Sequence, residues 1–143
     1  MKKFVLALAL VLGLAGSAMA DQTHQCTAGD GQKFTIAVPE GWTAQDIEGG
    51  CAVAKADGSE FISVAYYQTS LNAKAFAEDL ARKMNVTPEI NEQEDGYVDF
   101  DAVVNGVKLN ITITADGTDG EAQVTTQKGE SELLEKIFDS VAF

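Results

Sequence analysis

Two runs of alternating apolar and polar residues, joined by only two residues, constrain the fold of this chain most. Residues 97–104 and 107–115 flank the dipeptide Asn105-Gly106. Both residues of that dipeptide tolerate a positive φ, so the pattern predicts a β-hairpin with a two-residue turn. Val104 then faces Val107, and the hairpin is apolar on one face and mostly polar on the other. Antiparallel sheets often have this two-sided character.

Period-two alternation between turn residues predicts five further strands, at residues 25–28, 33–38, 52–56, 61–68 and 121–127. Two stretches instead have the helical period. Residues 70–85 place Phe76, Leu80 and Met84 on one face, and residues 131–140 are similarly amphipathic. The element order predicts an α+β fold, in which a largely antiparallel sheet carries two main helices packed on it. We expect residues 21–143 to form a single domain.

The first twenty residues predict a cleaved signal peptide. Lys2 and Lys3 precede an apolar run, and Ala18-Met19-Ala20 supplies the small residues of a cleavage site. We expect cleavage after Ala20 and a periplasmic product. Ser17 stands where a bacterial lipoprotein would carry its lipid-accepting cysteine, and no second long apolar run follows. The sequence therefore predicts no membrane anchor.

Cys26 and Cys51 are the two cysteines of the chain. In an oxidising compartment a disulfide between them is the default expectation. The alternatives are a redox pair, which would more often be a Cys-x-x-Cys motif, and a zinc site, which would need more ligands. His24 is the single histidine, which disfavours zinc.

The chain is strongly acidic. It has 22 Asp and Glu against 10 Lys and Arg, and removal of Lys2 and Lys3 with the signal peptide leaves a net charge of −14. Such a surface repels nucleic acid and anionic membranes. It is compatible with a cationic partner or divalent ions, although a solvated acidic surface alone explains it as well.

The sequence predicts no catalytic site and no cofactor. His24 lies near the new N-terminus, and no nucleophile or nucleotide-binding motif is present. Asp99 and Asp101 share one strand face, which leaves a carboxylate hydrolase as a remote alternative. The loop and strand residues Asp116, Asp119 and Glu121 are weak candidates for a calcium site, because hard cations prefer oxygen ligands. Turn chemistry alone also accounts for them.

Aromatic residues offer two interpretations. Pro39 should end a strand, Gly41 should form the following turn, and Trp42 should cover the end of the apolar layer as a structural anchor. Tyr67 and Tyr97 fall on predicted polar-face positions, where they could line a ligand groove. Packing at the rim of the core is the competing interpretation for these two tyrosines.

The segments "FTIAVPEGW", "FISVAYY", "NAKAFAEDLARKM" and "ELLEKIFDSVAF" follow one another in an order that resembles the PsbP-like fold. The chain is most similar to the bacterial branch of small exported DcrB-like proteins. The resemblance implies an accessory, assembly or binding protein of the cell envelope, with a protein partner and no catalysis. The alternative is a binder of a small molecule or divalent cation that uses the acidic loops and the aromatic sheet face.

Overall fold

In the computed structural model, residues 22–93, 96–115 and 120–143 are described. The strands are β1 (Gln22–Thr27), β2 (Lys33–Val38), β3 (Trp42–Ile47), β4 (Gly50–Lys55), β5 (Phe61–Gln68), β6 (Asn91–Glu92), β7 (Tyr97–Val104), β8 (Val107–Thr114) and β9 (Glu121–Lys128). The helices are α1 (Ala73–Lys83) and α2 (Glu132–Asp139). The expected α+β class is confirmed, with much more strand than helix. The predicted signal peptide, residues 1–20, lies outside the described residues.

The strands form two antiparallel sheets. β1 pairs with β2, and the other seven strands form a sheet in the order β3-β4-β5-β9-β8-β7-β6. The predicted β7–β8 hairpin is confirmed, with Val104 opposite Val107. Its turn residues Asn105 and Gly106 have φ of 53° and 79°, which is the geometry that an Asn-Gly turn provides.

Strand β3 is not among the strands that the sequence predicts, which leave the stretch between Trp42 and Cys51 without an element. Residues 42–47 pair antiparallel with β4, with Ala44 opposite Val53. The sequence "WTAQDI" has no regular apolar alternation because β3 is an edge strand, and most of its side chains are only partly buried. The two-residue edge strand β6 was missed for a similar reason.

The large sheet is covered differently on its two faces. We call front the face that carries Val53, Val64 and Tyr66, and back the opposite face. The β1–β2 hairpin and α2 pack on the front of β3, β4 and β5, in one core cluster with these residues. Helix α1 packs on the back of β7, β8 and β9. The two helices thus lie on opposite faces of the large sheet. The sequence predicted two helices packed on a sheet but did not predict which face each helix covers.

Helix α1 begins and ends at residues suited to those positions. The Asn72 side chain accepts a hydrogen bond from the Ala75 amide at 2.8 Å, which is an N-cap contact. At the other end Asn85 has a φ of 61°, and the Val86 amide donates to the Ala81 carbonyl at 3.0 Å. This closure allows the chain to leave the helix before Pro88.

The predicted disulfide is present and joins the two sheets. Cys26 lies in β1 and Cys51 in β4, both fully buried, with their Cα atoms 5.7 Å apart. The bond therefore fixes the β1–β2 hairpin onto the front face. Neither of the described helices is long and apolar enough to cross a bilayer.

The Pro39–Trp42 turn lies at the edge of the same core. The Trp42 amide donates to the Pro39 carbonyl at 3.0 Å, and Gly41 has a φ of 87°. This turn places the Trp42 side chain, which is 4 % exposed, in the core between the β1–β2 hairpin and the large sheet. Trp42 thus occupies a structural position and is not accessible to a ligand.

Candidate functional site

The front face of β8 and β9 carries a groove of about 470 Å³, bordered by α2 on one side and by Tyr97 of β7 on the other. We call it the polar groove. Its lining residues are Tyr97, Asn110, Thr112, Thr114, Gln123, Thr125, Gln127, Glu130, Ser131, Glu132, Glu135 and Phe138. Most of them are hydroxyl, amide or carboxylate side chains, which are suited to hydrogen bonding and not to burial in a core.

The strand register builds the floor of the polar groove. Residues that are directly opposite in antiparallel strands share a face. The opposed pairs across β8 and β9 are Asn110 with Gln127, Thr112 with Thr125, and Thr114 with Gln123. They form two parallel rows of polar side chains, with a repeat of about 7 Å along each strand.

Several hydrogen-bond donors of the groove are already engaged within the protein. The Gln123 amide donates to the Tyr66 hydroxyl at 2.7 Å, and the Asn110 amide donates to Asp101 at 3.0 Å. The Gln127 amide donates to the Gly129 carbonyl at 3.2 Å. The hydroxyls of Thr112 and Ser131 likewise donate, to Asn110 and Glu60 at 3.4 Å and 3.0 Å. The hydrogen-bonding capacity that remains is therefore weighted towards acceptors.

The wall formed by α2 and the residues before it is acidic. Glu130, Glu132 and Glu135 line it, and none of them forms an ion pair within the described residues. Among the described residues that line the groove, none is Lys, Arg or His. The groove therefore offers negative charge with no positive charge of its own.

Thr125 lies in the floor of the groove and is 8 % exposed. No hydrogen bond of its hydroxyl is present within the described part of the chain, although the hydroxyl that is fully enclosed without a partner is that of Thr43 in β3. The other largely buried polar residue, Ser63, is on the back face of the sheet. Because Thr125 lines the groove, its hydroxyl is a group that water or a bound molecule could engage.

A second groove, of about 560 Å³, lies on the back face between α1 and the β3–β4 turn. We call it the α1 groove. Tyr67 and Phe76 stack in its wall, with ring centroids 6.2 Å apart and planes 24° apart. The Tyr67 hydroxyl donates to the Glu48 carbonyl at 3.1 Å, and burial raises the pKa of this phenol. Leu71 and Leu80 add apolar surface, so this groove has a more apolar character than the polar groove.

Tyr67 and Tyr97 do not line a common groove. Tyr67 pairs with Ala122 and faces the back, whereas Tyr97 pairs with Thr114 and faces the front. The expectation that both lie on the polar face was wrong, because both faces of β5 are buried and its sequence does not reveal which residue faces which layer. Each tyrosine instead lines a groove of its own, Tyr67 the α1 groove and Tyr97 the polar groove.

The carboxylates and the histidine considered for chemistry are dispersed. His24 contacts Asp46 at 2.8 Å. Asp99 accepts a hydrogen bond from Gln93 at 3.3 Å, and Asp101 accepts one from Asn110. Within the described residues no three His, Cys, Asp or Glu side chains are placed to hold a metal ion. Of the weak calcium candidates, Glu121 begins β9, and Asp116 and Asp119 lie outside the described residues.

Sequence reasoning did not identify the polar groove. The alternation in "EAQVTTQK" indicated a two-sided strand, and the Glu residues before and within α2 were visible as charges. These side chains come together because β9 pairs with β8, the preceding strand, and with β5, which is distant in sequence. One sequence feature did point to this surface, namely the polar face predicted for the β7–β8 hairpin. That face forms the part of the surface that is farther from α2.

No family model matches this chain, and the comparison with curated proteins found no match either. The resemblance to the PsbP-like fold therefore rests on the order of the elements and on the Pro-x-Gly-Trp stretch at Pro39–Trp42. Functional inference rests on the two grooves and on the chemistry of the residues that line them.

Proposed function

We propose that this chain is an exported accessory protein of the bacterial cell envelope, which binds a partner protein through the polar groove and catalyses no reaction. In this proposal residues 1–20 are a signal peptide that is cleaved after Ala20. The product is a freely diffusing periplasmic protein with a PsbP-like fold, related to the DcrB-like branch.

One observation carries the binding part of this proposal, namely the uneven cover of the large sheet. The front of β4 and β5 is covered by the β1–β2 hairpin and α2, and the back of β8 is covered by α1. The front of β8 and β9 is open and carries the polar groove. A regular and solvent-accessible sheet surface of this kind provides fixed hydrogen-bonding groups for a partner.

Export is supported by two features of different kinds. The N-terminal sequence has the charge, length and small residues of a cleaved signal. The Cys26–Cys51 bond is also of the kind that persists in oxidising compartments. N-terminal sequencing of the protein recovered from a periplasmic fraction should therefore begin at Asp21. Recovery of an intact chain that begins at Met1 would contradict export by cleavage.

The binding function is tested by affinity capture from periplasmic extract. The bait carries a tag at the N-terminus of residue 21, and Thr112→Arg fills the polar groove. Thr23→Arg on the exposed β1 strand is the matched control, with the same change of side chain outside the groove. We expect the wild type and the control to capture the same envelope protein, and Thr112→Arg to lose most of it. Equal capture by all three, or no reproducible partner, would contradict the proposal.

A second candidate function is the binding of a small amphipathic molecule in the α1 groove. The stacked pair Tyr67 and Phe76 beside Leu71 favours it, because ligand pockets are commonly apolar with a few polar groups. A thermal-shift screen would detect such a ligand through a raised melting temperature. Loss of the shift in Phe76→Ala, with an unchanged shift in Thr112→Arg, would place the ligand in the α1 groove.

A further inference from the structure

We infer that the polar groove recognises a lysine- or arginine-bearing segment of the partner protein, bound in an extended conformation across β8 and β9. The inference rests on the function proposed above and adds the chemistry of the partner. Its first support is the balance of hydrogen-bonding groups. The side-chain amides of Asn110, Gln123 and Gln127 each already donate one hydrogen bond to an acceptor of the protein itself, whereas the carboxylates of the wall only accept. A ligand rich in donors, such as an ammonium or guanidinium group, fits what remains.

The second support is the charge around the groove. Glu130, Glu132 and Glu135 line the α2 wall. Beyond Tyr97, the front face of β7 carries Asp99 and Asp101, which are paired in register with Thr112 and Asn110. Carboxylates therefore flank the floor on both sides, about three strand spacings or about 14 Å apart. Lys108 lies on the same face at the end of the β8 row, beyond Asn110. A ligand with several separated positive charges complements this arrangement better than one with a single charge.

The hydroxyl of Thr125, a residue that is 8 % exposed, is the third support and is independent of charge. It lies at the centre of the floor, opposite Thr112, and no group of the described chain bonds to it. A ligand donor or acceptor that reaches the floor would satisfy it.

Two aromatic side chains suit the stems of basic residues. Phe138 lines the α2 side, and Tyr97, which is 40 % exposed, lines the opposite side. The aliphatic part of a lysine or arginine can pack along such a ring while its charged end reaches a carboxylate. A cation over the ring face also interacts favourably with it.

An extended peptide, and not a small free amine, matches the dimensions of the site. Alternate residues of an extended chain are about 7 Å apart on one side, which is also the repeat of the polar rows on β8 and β9. A peptide with basic residues at alternate positions can therefore place successive charges along the acidic wall. A short polyamine offers the same charges without the fixed spacing or the backbone groups.

The experiment uses the mature chain, residues 21–143, and three probes in a calorimetric titration. The first probe is a five-residue peptide, blocked at both ends, with lysine at positions one, three and five and serine between them. The second has glutamine in place of each lysine, and the third is spermidine. We expect saturable binding of the lysine peptide, much weaker binding of the glutamine peptide, and spermidine binding at least tenfold weaker than the lysine peptide. Spermidine binding as tight as the lysine peptide would overturn the assignment to a protein segment.

Variants locate the binding. Glu132→Gln with Glu135→Gln should weaken binding of the lysine peptide about threefold to tenfold, as expected for the loss of two exposed ion pairs. Glu78→Gln with Glu89→Gln changes the net charge equally at exposed positions outside the groove, and it should have no such effect. Equal weakening by the two pairs would show a general charge effect and overturn the inference. Circular dichroism melting curves confirm that all variants are folded.

Thr125→Val removes the floor hydroxyl while keeping the shape of the side chain, and it should also weaken the lysine peptide. Failure of the inference can be distinguished from failure of the proposed function. If Thr112→Arg abolishes capture of the partner but the lysine peptide does not bind, the groove is the docking site and only the basic chemistry is wrong. If Thr112→Arg leaves capture unchanged, the groove is not the docking site.

Discussion

The side-chain amide of Gln123 donates a hydrogen bond to the Tyr66 hydroxyl at 2.7 Å, at the line where the covered half of the front face meets the open half. Tyr66 packs edge-on against Phe34 of β2, with ring centroids 5.2 Å apart, and against Phe143 near the C-terminus. Gln123 lines the polar groove. One hydrogen bond thus connects the core to the candidate binding surface and fixes the orientation of the Gln123 amide.

The tyrosines should make stability fall at alkaline pH. Burial raises the pKa of Tyr66 and of Tyr67 above the ordinary value near 10. Above that pH the unfolded chain releases these protons more readily than the folded chain. The free energy of unfolding should therefore decrease with rising pH, by at most about 1.4 kcal/mol per pH unit for each tyrosine. The stabilisation is fully present below about pH 10 and is lost as the pH rises towards the folded pKa.

Urea denaturation between about pH 9 and pH 11.5 measures this slope. Tyr66→Phe and Tyr67→Phe should each make it shallower than that of the wild type, because each removes one of the two ionising groups. Lysines also titrate in this pH range. Their contribution to the slope is common to the wild type and both variants, so it cancels when the slopes are compared. An identical slope in the wild type and both variants would show that neither phenol is protected by folding.

Trp42 should contribute strongly to stability, because its ring is buried in the core beneath the β1–β2 hairpin. Trp42→Ala leaves a large cavity and should lower the free energy of unfolding by about 3–5 kcal/mol. Trp42→Phe keeps part of the ring and should cost less. Circular dichroism is the measurement of choice, since Trp42 is the only tryptophan and its fluorescence is lost in both variants. A loss below about 1 kcal/mol would mean that the ring is accessible in solution.

The Cys26–Cys51 bond should stabilise the chain by about 3–4 kcal/mol in the chain-entropy account, because it closes a loop of 25 residues. Reduction should therefore lower the denaturation midpoint, and the double variant Cys26→Ala with Cys51→Ala should resemble the reduced protein. The reductant should not affect that double variant, which is the control. An unchanged midpoint after complete reduction would show that the two sheets hold together without the bond.

Gly50 and Gly41 should tolerate alanine poorly for different reasons, Gly50 for lack of space and Gly41 for its backbone conformation. A Cβ at Gly50 would lie only 1.9 Å from the Val64 carbonyl oxygen of the neighbouring strand, so backbone must move. At Gly41 a Cβ would meet nothing within 4 Å, but the φ of 87° disfavours a side chain. Gly41→Ala should cost about 1–2 kcal/mol. Gly50→Ala should cost more than about 3 kcal/mol or prevent folding, and equal losses in urea denaturation would refute the close approach of β4 and β5.

Local chemistry made part of this fold predictable. Asn105-Gly106 predicted its hairpin, and the helical period of residues 70–85 and 131–140 predicted the two helices. Strand β3 was not predictable in this way, because its partner β4 and not its own sequence makes residues 42–47 extended. An edge strand needs no apolar alternation, so its pattern resembles that of a loop.

The candidate site was harder to predict than the fold for a related reason. The front face is apolar on β4 and β5 but polar on β8 and β9, since different layers cover different halves. Alternation within one strand tells which residues share a face, and it does not tell which half of that face is covered. Tyr67 and Tyr97 were assigned to one surface because this information is contained only in the long-range pairing of β9.

The most direct test of the polar groove as a binding surface is site-specific photo-crosslinking in intact cells. A photoreactive amino acid at Gln127 lies in the groove, and one at Glu78 lies on the exposed surface of α1 on the other face. We predict that Gln127 crosslinks to one envelope protein through a segment that contains lysine or arginine, and that Glu78 does not. Crosslinks of equal yield from both positions, or a partner captured only from Glu78, would contradict the account.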